Sequence, residues 1–312
     1  MKLVTRTRVI AAAFVIAVVA VIAALGAVSK SSPTAAAAPL PFVQWYWTMV
    51  VSPSDPNTLV LGTSNGIYRS ADGGKTWAAA GPKGFDATSV VQAGSAIYAG
   101  GVAAAPNVSP LIRKSAGRTA PDGAPVIVTS TNAGKTWQNL APNGLPNNTI
   151  QAMAVDPAHP TTLYALFNTG GLYSSTDGAH SFQLVTAKVG IAPWALAITK
   201  PGQFVSGDMD SGSHLSTNAK AWTKTPFTDA SGGRMVMEYA VQPNDVNRVV
   251  MTSRGIELST DGGKTWHSVL HTTNMFGPVA YAPSKPETAY AVGFDRTIWR
   301  SDDGGKTWKK LA

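Results

Sequence analysis

An all-β fold built from six copies of one four-stranded antiparallel unit is predicted by three features of this sequence. A short phrase recurs, its copies are almost evenly spaced, and each copy is flanked by short β-rich runs. The phrase is Ser-x-Asp-x-Gly-x-Thr-Trp. Its clean copies run from Ser70 through Asp72 and Gly74 to Trp77, from Ser259 through Asp261 to Trp266, and from Ser301 through Asp303 to Trp308. A fourth, Ser130 to Trp137, carries Asn132 for the aspartate, and a fifth, Ser175 through Asp177, ends in Phe182. The sixth, Ser216 to Trp222, lacks the glycine and is one residue short. From serine to serine the intervals are 60, 45, 41, 43 and 42 residues. A period near 42 means stacked supersecondary units, none able to bury its apolar face alone.

Each unit reads as four strands. In the first, Thr48–Ser52, Thr58–Gly62, Ile67–Ser70 and Thr76–Ala79 are β-rich, and Asn65-Gly66 marks a turn between the second and third. The same order recurs as Gln151–Asp156, Thr162–Phe167, Gly171–Ser175 and Ser181–Val185. It recurs again as Met235–Gln242, Arg248–Thr252, Gly255–Ser259 and Thr265–Leu270. Short β-branched or aromatic runs separated by Gly, Asn, Asp and Pro are the pattern of an antiparallel meander. Beyond the N-terminus no stretch holds a helical period.

The phrase itself is expected to be a hairpin between the third and fourth strands. Its aspartate accepts backbone N–H groups of its own turn, and its glycines supply the positive φ that the turn needs. Serine and threonine tie the arms together, and the tryptophan buries a large ring between sheets. These residues therefore carry structure rather than chemistry.

From about residue 45 to 312 the sequence resembles the Asp-box, or bacterial neuraminidase repeat, β-propellers. The text Ser52-Pro53-Ser54-Asp55-Pro56-Asn57-Thr58-Leu59, followed by Gly62 to Ser70, resembles repeats of the sortilin and xyloglucanase groups and of the photosystem II assembly factor type. The resemblance implies a six-bladed propeller spanning 42–312, with its hairpins on the outer edge of the blades. A seventh blade would need strands from residues 98–126, which are rich in glycine, proline and alanine.

The N-terminus is different. Lys2, Arg6 and Arg8 precede Val9–Val28, twenty residues without a charge. That layout, residues 1–28, fits a signal peptide or a hydrophobic anchor helix long enough to span a bilayer. Positive charge on the short N-terminal side sends the rest of the chain outward. The protein is expected to be exported, either secreted or held at the outer face of the cytoplasmic membrane, with the retained anchor favoured. Residues 29–41 read as a Ser/Ala/Pro linker containing Ala35-Ala36-Ala37 as a cleavage option.

Composition narrows the function. There is no cysteine, which removes disulfides, thiol catalysis and cysteine-ligated zinc. The net charge is +8, but Lys2, Arg6, Arg8 and Lys30 lie in residues 1–38 without an acid, leaving +4 for the rest. That mild excess lacks the concentrated stripe that nucleic acid requires. A monomer without cofactor or metal is expected.

Strand order puts the second-to-third loops and the inter-blade loops on one face, and function is expected there. The longest such loop, Gly101–Pro125, holds Arg113, Lys114, Arg118 and Asp122. Arg113, Arg118, Arg234, Arg254 and Arg296 fall on this face. Converging guanidinium forks would hold a carboxylate or phosphate, the alternative being solvated loop residues on separate blades. Trp194 joins them as a ligand-binding candidate. Asp86, Asp208, Asp210, Asp229 and Asp295 are the acids from which a glycoside hydrolase would draw its pair, with Asp208 and Asp229 foremost. The order Asp208-x-Asp210-x-Gly212 also offers oxygen ligands for calcium, but the later acidic ligand of a calcium loop is missing, and a turn is the simpler reading.

A sialidase is disfavoured. Its Arg-Ile-Pro sequence is absent, and Tyr239 with Glu238 would point to opposite faces of one strand. His159, His180, His214, His267 and His271 are scattered and form no catalytic motif. Trp45-Tyr46-Trp47 suits sugar stacking, membrane headgroups or, as favoured, a hydrophobic plug that seals the first blade to the last. Three functions remain open. The first is an exported, tethered propeller that binds a protein or glycan through its channel face. The second is a glycoside hydrolase of the sialidase or xyloglucanase type, and the third an assembly factor of the photosystem II type.

Overall fold

A computed structural model describes residues 40–82, 84–103, 125–189, 193–208, 212–229 and 232–311. Val9–Val28, Arg113, Arg118 and Asp210 lie outside the described residues, so the N-terminal helix and the long loop are without structural support here. Among the described residues no helix is long and apolar enough to cross a membrane.

Six four-stranded antiparallel sheets make up the propeller. Blade 1 is β1 (Tyr46–Val51), β2 (Leu59–Thr63), β3 (Gly66–Ser70) and β4 (Ala78–Ala79). Blade 2 is β5 (Phe85–Ala93), β6 (Ala96–Ala103), β7 (Val126–Ser130) and β8 (Gln138–Leu140). Blade 3 is β9 (Ile150–Asp156), β10 (His159–Phe167), β11 (Leu172–Ser175) and β12 (Gln183–Thr186). Blade 4 is β13 (Pro193–Lys200), β14 (Gln203–Asp208), β15 (Ser213–Ser216) and β16 (Thr223–Lys224). Blade 5 is β17 (Glu238–Gln242), β18 (Asp245–Ser253), β19 (Gly255–Ser259) and β20 (His267–Leu270). Blade 6 is β21 (Phe276–Ala282), β22 (Lys285–Gly293), β23 (Ile298–Ser301) and β24 (Lys309–Lys310).

Every sheet uses four consecutive strands, so among the described residues no strand is exchanged to close the ring. Packing closes it instead. Leu40, Tyr46, Met49, Leu59 and Leu61 of the first blade and its lead-in share one buried cluster with Ala280, Tyr290, Val292 and Ile298 of the last. Tyr46 also donates its hydroxyl to the Pro41 carbonyl at 2.7 Å, fixing the lead-in. Five further clusters fill the remaining blade interfaces. β6 and β7 are the middle strands of blade 2, so the extra length between them is an insertion within that blade.

The recurring phrase is the third-to-fourth hairpin, as the sequence predicts. In the last copy Asp303 accepts from the backbone of Lys306 and Thr307 at 3.0 and 2.9 Å and from the Thr307 hydroxyl at 2.6 Å. Ser301 donates to Asp303 at 2.8 Å and accepts the N–H of Gly305 at 2.9 Å. Gly304 and Gly305 stand at φ 74° and 88°. Glycine is doubly required at Gly263, where φ is 88° and an added Cβ would lie 2.8 Å from Val205. The aromatic residue of each box packs onto the preceding interface: Trp77 against the cluster joining blades 6 and 1, and Trp137, Phe182, Trp222, Trp266 and Trp308 in turn around the ring. The outermost strands are shorter than the sequence suggests. Thr76 is bonded to Asp72 and Thr307 to Asp303, so pairing in β4 and β24 starts later.

Candidate functional site

First strands run from one face of the disc to the other. The face where they begin also carries the second-to-third loops and is called the loop face. The opposite, turn face carries the first-to-second turns and the box hairpins. There the box backbone bonds the neighbouring turn, as when Gly304 N–H meets the Glu287 carbonyl at 2.8 Å.

An aromatic cap occupies the centre of the loop face. Trp45 and Trp47 stack with centroids 5.7 Å apart, Phe294 meets Trp45 edge-on at 5.5 Å, and Trp194 meets Trp47 at 6.2 Å. These rings come from blades 1, 6 and 4, so the cap spans the channel. The indole of Trp47 donates to Asp86 at 2.7 Å. Tyr46, between the two tryptophans in sequence, faces the other way into the ring-closing cluster. The sequence expectation of one plug thus resolves into two devices, because neighbouring residues on a strand point to opposite sides.

Of the predicted acids, Asp86 accepts the Trp47 indole across blades, while Asp208, Asp229 and Asp295 each accept a hydrogen bond within their own loops. Asp208, at the end of β14, accepts the N–H of Gly212 at 3.1 Å, and Asp229 accepts that of Gly233 at 2.8 Å. Asp295 accepts the Thr297 hydroxyl at 2.6 Å. Asp86, Asp208 and Asp229 are all buried. Among the described residues no group of three or more histidines or acids is placed to hold a metal.

The arginines reach the same face from different elements. Arg254 sits between β18 and β19, Arg234 precedes β17, and Arg296 lies beyond β22. Arg296, with φ 69°, donates to the Leu40 carbonyl at 2.9 Å and covers the Phe42 ring at 5.6 Å. It therefore braces the chain's lead-in. Tyr239 is buried against Trp266 with ring centroids 5.8 Å apart and donates to Ser213 at 2.9 Å. Burial drives its phenol pKa well above the usual range. His180 belongs to a box hairpin and His159 pairs with Asp156 at 3.3 Å, consistent with hairpin and surface roles.

Beneath the cap lies a central cavity of about 520 Å³, walled by the first strands of all six blades. Trp47 and Trp194 border it on the loop-face side, and exposed Gly94, Pro157, Pro160 and Pro243 rim it on the turn face. Glu238, half-buried, opens onto this cavity. Burial raises its pKa to about 8, opposed by the Tyr239 N–H, which it accepts at 3.0 Å, and by Thr48. Glu257, in β19, is also raised by burial, to about 7. In the sequence Glu238 stands out only as a neighbour of Tyr239, with no motif placing it in the channel. A signal was present, however. Counting five residues back from each turn gives Thr48, Ser89, Ala152, Leu196, Glu238 and Pro278, a single acid among neutral equivalents.

The fold and site define a six-bladed Asp-box propeller with a capped central channel. The chain belongs to the family described as photosynthesis system II assembly factor YCF48, whose profile matches residues 121–312. It is 28% identical over 174 residues to an oligoxyloglucan-reducing end-specific xyloglucanase of Emericella nidulans, covering 50% of this chain and 21% of that protein. Among solved structures it resembles a GH74 xyloglucanase from Xanthomonas campestris, with TM-score 0.55 and 17% identity, covering 86% of this chain and 45% of that one. It also resembles YCF48 bound to a D1 peptide, with TM-score 0.50 and 18% identity, covering 90% and 86%. The chain therefore spans less than half the length of the xyloglucanases it matches.

Proposed function

We propose that this propeller is an exported, membrane-tethered binding module that holds a protein segment or glycan on its loop face, without turnover. Membership of the YCF48 family carries the reading, and the D1 peptide in a related structure favours a protein segment. Arg234 and Arg254, on the loop face, are candidate anchors for an acidic group, with Trp194 as the stacking surface. The acids needed for glycoside hydrolysis accept backbone N–H groups of their own loops, which suits a structural task. The tether rests on the uncharged run Val9–Val28 behind three cations.

The xyloglucanase relative supports a second reading, hydrolysis of a β-glucan by Asp208 and Asp229. One experiment separates the two. The full chain is titrated with D1 peptide and with xyloglucan oligosaccharides, followed by tryptophan fluorescence, and both glycans and fluorogenic glycosides are assayed for turnover. Saturable binding that weakens about tenfold in Arg254→Ala or Trp194→Ala, with no turnover, supports the binding module. Turnover lost in Asp208→Asn or Asp229→Asn makes the protein a hydrolase.

A further inference from the structure

The central cavity has a chemistry that the loop-face reading does not use. Its walls are mainly apolar, with Met49, Met153, Met237, Leu196 and Ile198 contributing. At about 520 Å³ it falls within the size range of small-molecule sites. Indole rings border one end and exposed turn residues the other, so access is from the turn face.

Its charge is one-sided. Among the described residues lining it there is no lysine, arginine or histidine. β9 brings Asp156 at the rim, where that carboxylate already receives the Ala158 N–H at 2.9 Å and His159. β17 and β21 also contribute Tyr239 and Tyr281, whose hydroxyls turn away to Ser213 and to the Gly304 carbonyl and whose burial holds them neutral. β1, β5 and β13 bring no ionisable group to the wall. Glu238 is left as the acid of the cavity interior, with neutral donors alone, the Tyr239 N–H of its own strand and Thr48.

A buried carboxyl group without a counter-cation stays protonated or acquires a cation. An apolar tube ending near an acid and two indole rings suits a cation with an apolar tail, since indole faces also attract ammonium groups. We propose that the central channel is a binding site for a primary aliphatic amine, which enters from the turn face, lays its alkyl chain along the first strands and sets its ammonium group on the Glu238 carboxylate. Binding then converts a protonated Glu238 to its ionised form, and one proton leaves to solvent for each ammonium ion bound. This site is independent of the loop-face partner.

The test uses the full chain and calorimetric titration with n-hexylamine hydrochloride, with n-hexanol as the neutral isostere, in phosphate from pH 6 to 9. Hexylamine is expected to bind at least tenfold more tightly than hexanol, with affinity rising as pH increases towards the pKa of Glu238. Glu238→Gln is expected to lose at least tenfold in hexylamine affinity and to lose the pH dependence, while keeping the parent melting transition. Arg254→Ala should leave amine binding unchanged. Equal binding of amine and alcohol would overturn the proposal without any variant. So would the absence of binding, or an unchanged affinity in folded Glu238→Gln.

Discussion

Replacing Ser259 with alanine removes a hydroxyl that makes three hydrogen bonds in a clean box hairpin. It donates to Asp261 at 2.8 Å, accepts the Asp261 N–H at 3.3 Å and accepts the N–H of Gly263 at 2.8 Å. Both Ser259 and Gly263 are buried, so water cannot replace the lost acceptor. Leaving a buried N–H unsatisfied costs about 1–3 kcal/mol, and the lost bond to a carboxylate adds to it, giving about 2–3 kcal/mol. Ser216 in the shortened copy is the internal comparison. Its turn contains one left-handed residue, Ala219 at φ 59°, where Ser259 is followed by two, Gly262 and Gly263. Ser216 therefore bonds Asn218 alone, at 3.2 and 3.3 Å, and the N–H of Lys220 goes to Asn218 instead. Ser216→Ala should cost only about 0.5–1 kcal/mol. At about 2–4 °C per kcal/mol for a domain of this size, scanning calorimetry should show a fall of about 4–12 °C for Ser259→Ala. The fall for Ser216→Ala should be about 1–4 °C. Equal shifts, or a larger one for Ser216→Ala, would refute the claim that the serine acts through the backbone N–H four residues on.

Three more outcomes follow from the same geometry. Trp308 is buried at 8% exposure between blades 5 and 6, so Trp308→Ala should cost about 3–5 kcal/mol in urea unfolding. Asp72, Asp261 and Asp303 have pKa values lowered by their hairpin hydrogen bonds against an opposing effect of burial. Their stabilisation is present above the ordinary carboxylate pKa of about 4 and is lost as pH falls below it, so the melting temperature should drop there, less steeply in Asp303→Asn. Glu238 and Glu257 have raised values, about 8 and about 7, and act in the opposite sense. Their contribution to stability is fully present below about pH 4 and is lost as pH rises to about 8. Glu257→Gln should therefore raise the melting temperature at pH 8 by a few degrees and leave it unchanged near pH 4, as circular dichroism would show.

Much of this protein is legible along the chain. The box hairpin is a local device: Ser301, Asp303, Gly305 and Thr307 satisfy one another within seven residues, so the residue types suffice to specify the turn. Its sixfold recurrence at a near-constant interval set the number of blades, and alternation within strands put Tyr239 and Glu238 on opposite sides. Strand order likewise assigned Arg234, Arg254, Arg296 and Trp194 to one face. What stayed hidden depends on residues far apart in sequence. Trp47 and Trp194 meet only because blades 1 and 4 face each other across the axis. Arg296 braces Leu40 only because the last blade closes on the first. The environment of Glu238 was hidden too, since an isolated glutamate on a strand is an ordinary solvated residue. Six first strands converging on one channel surround it with largely apolar walls, and that convergence is a property of the closed ring.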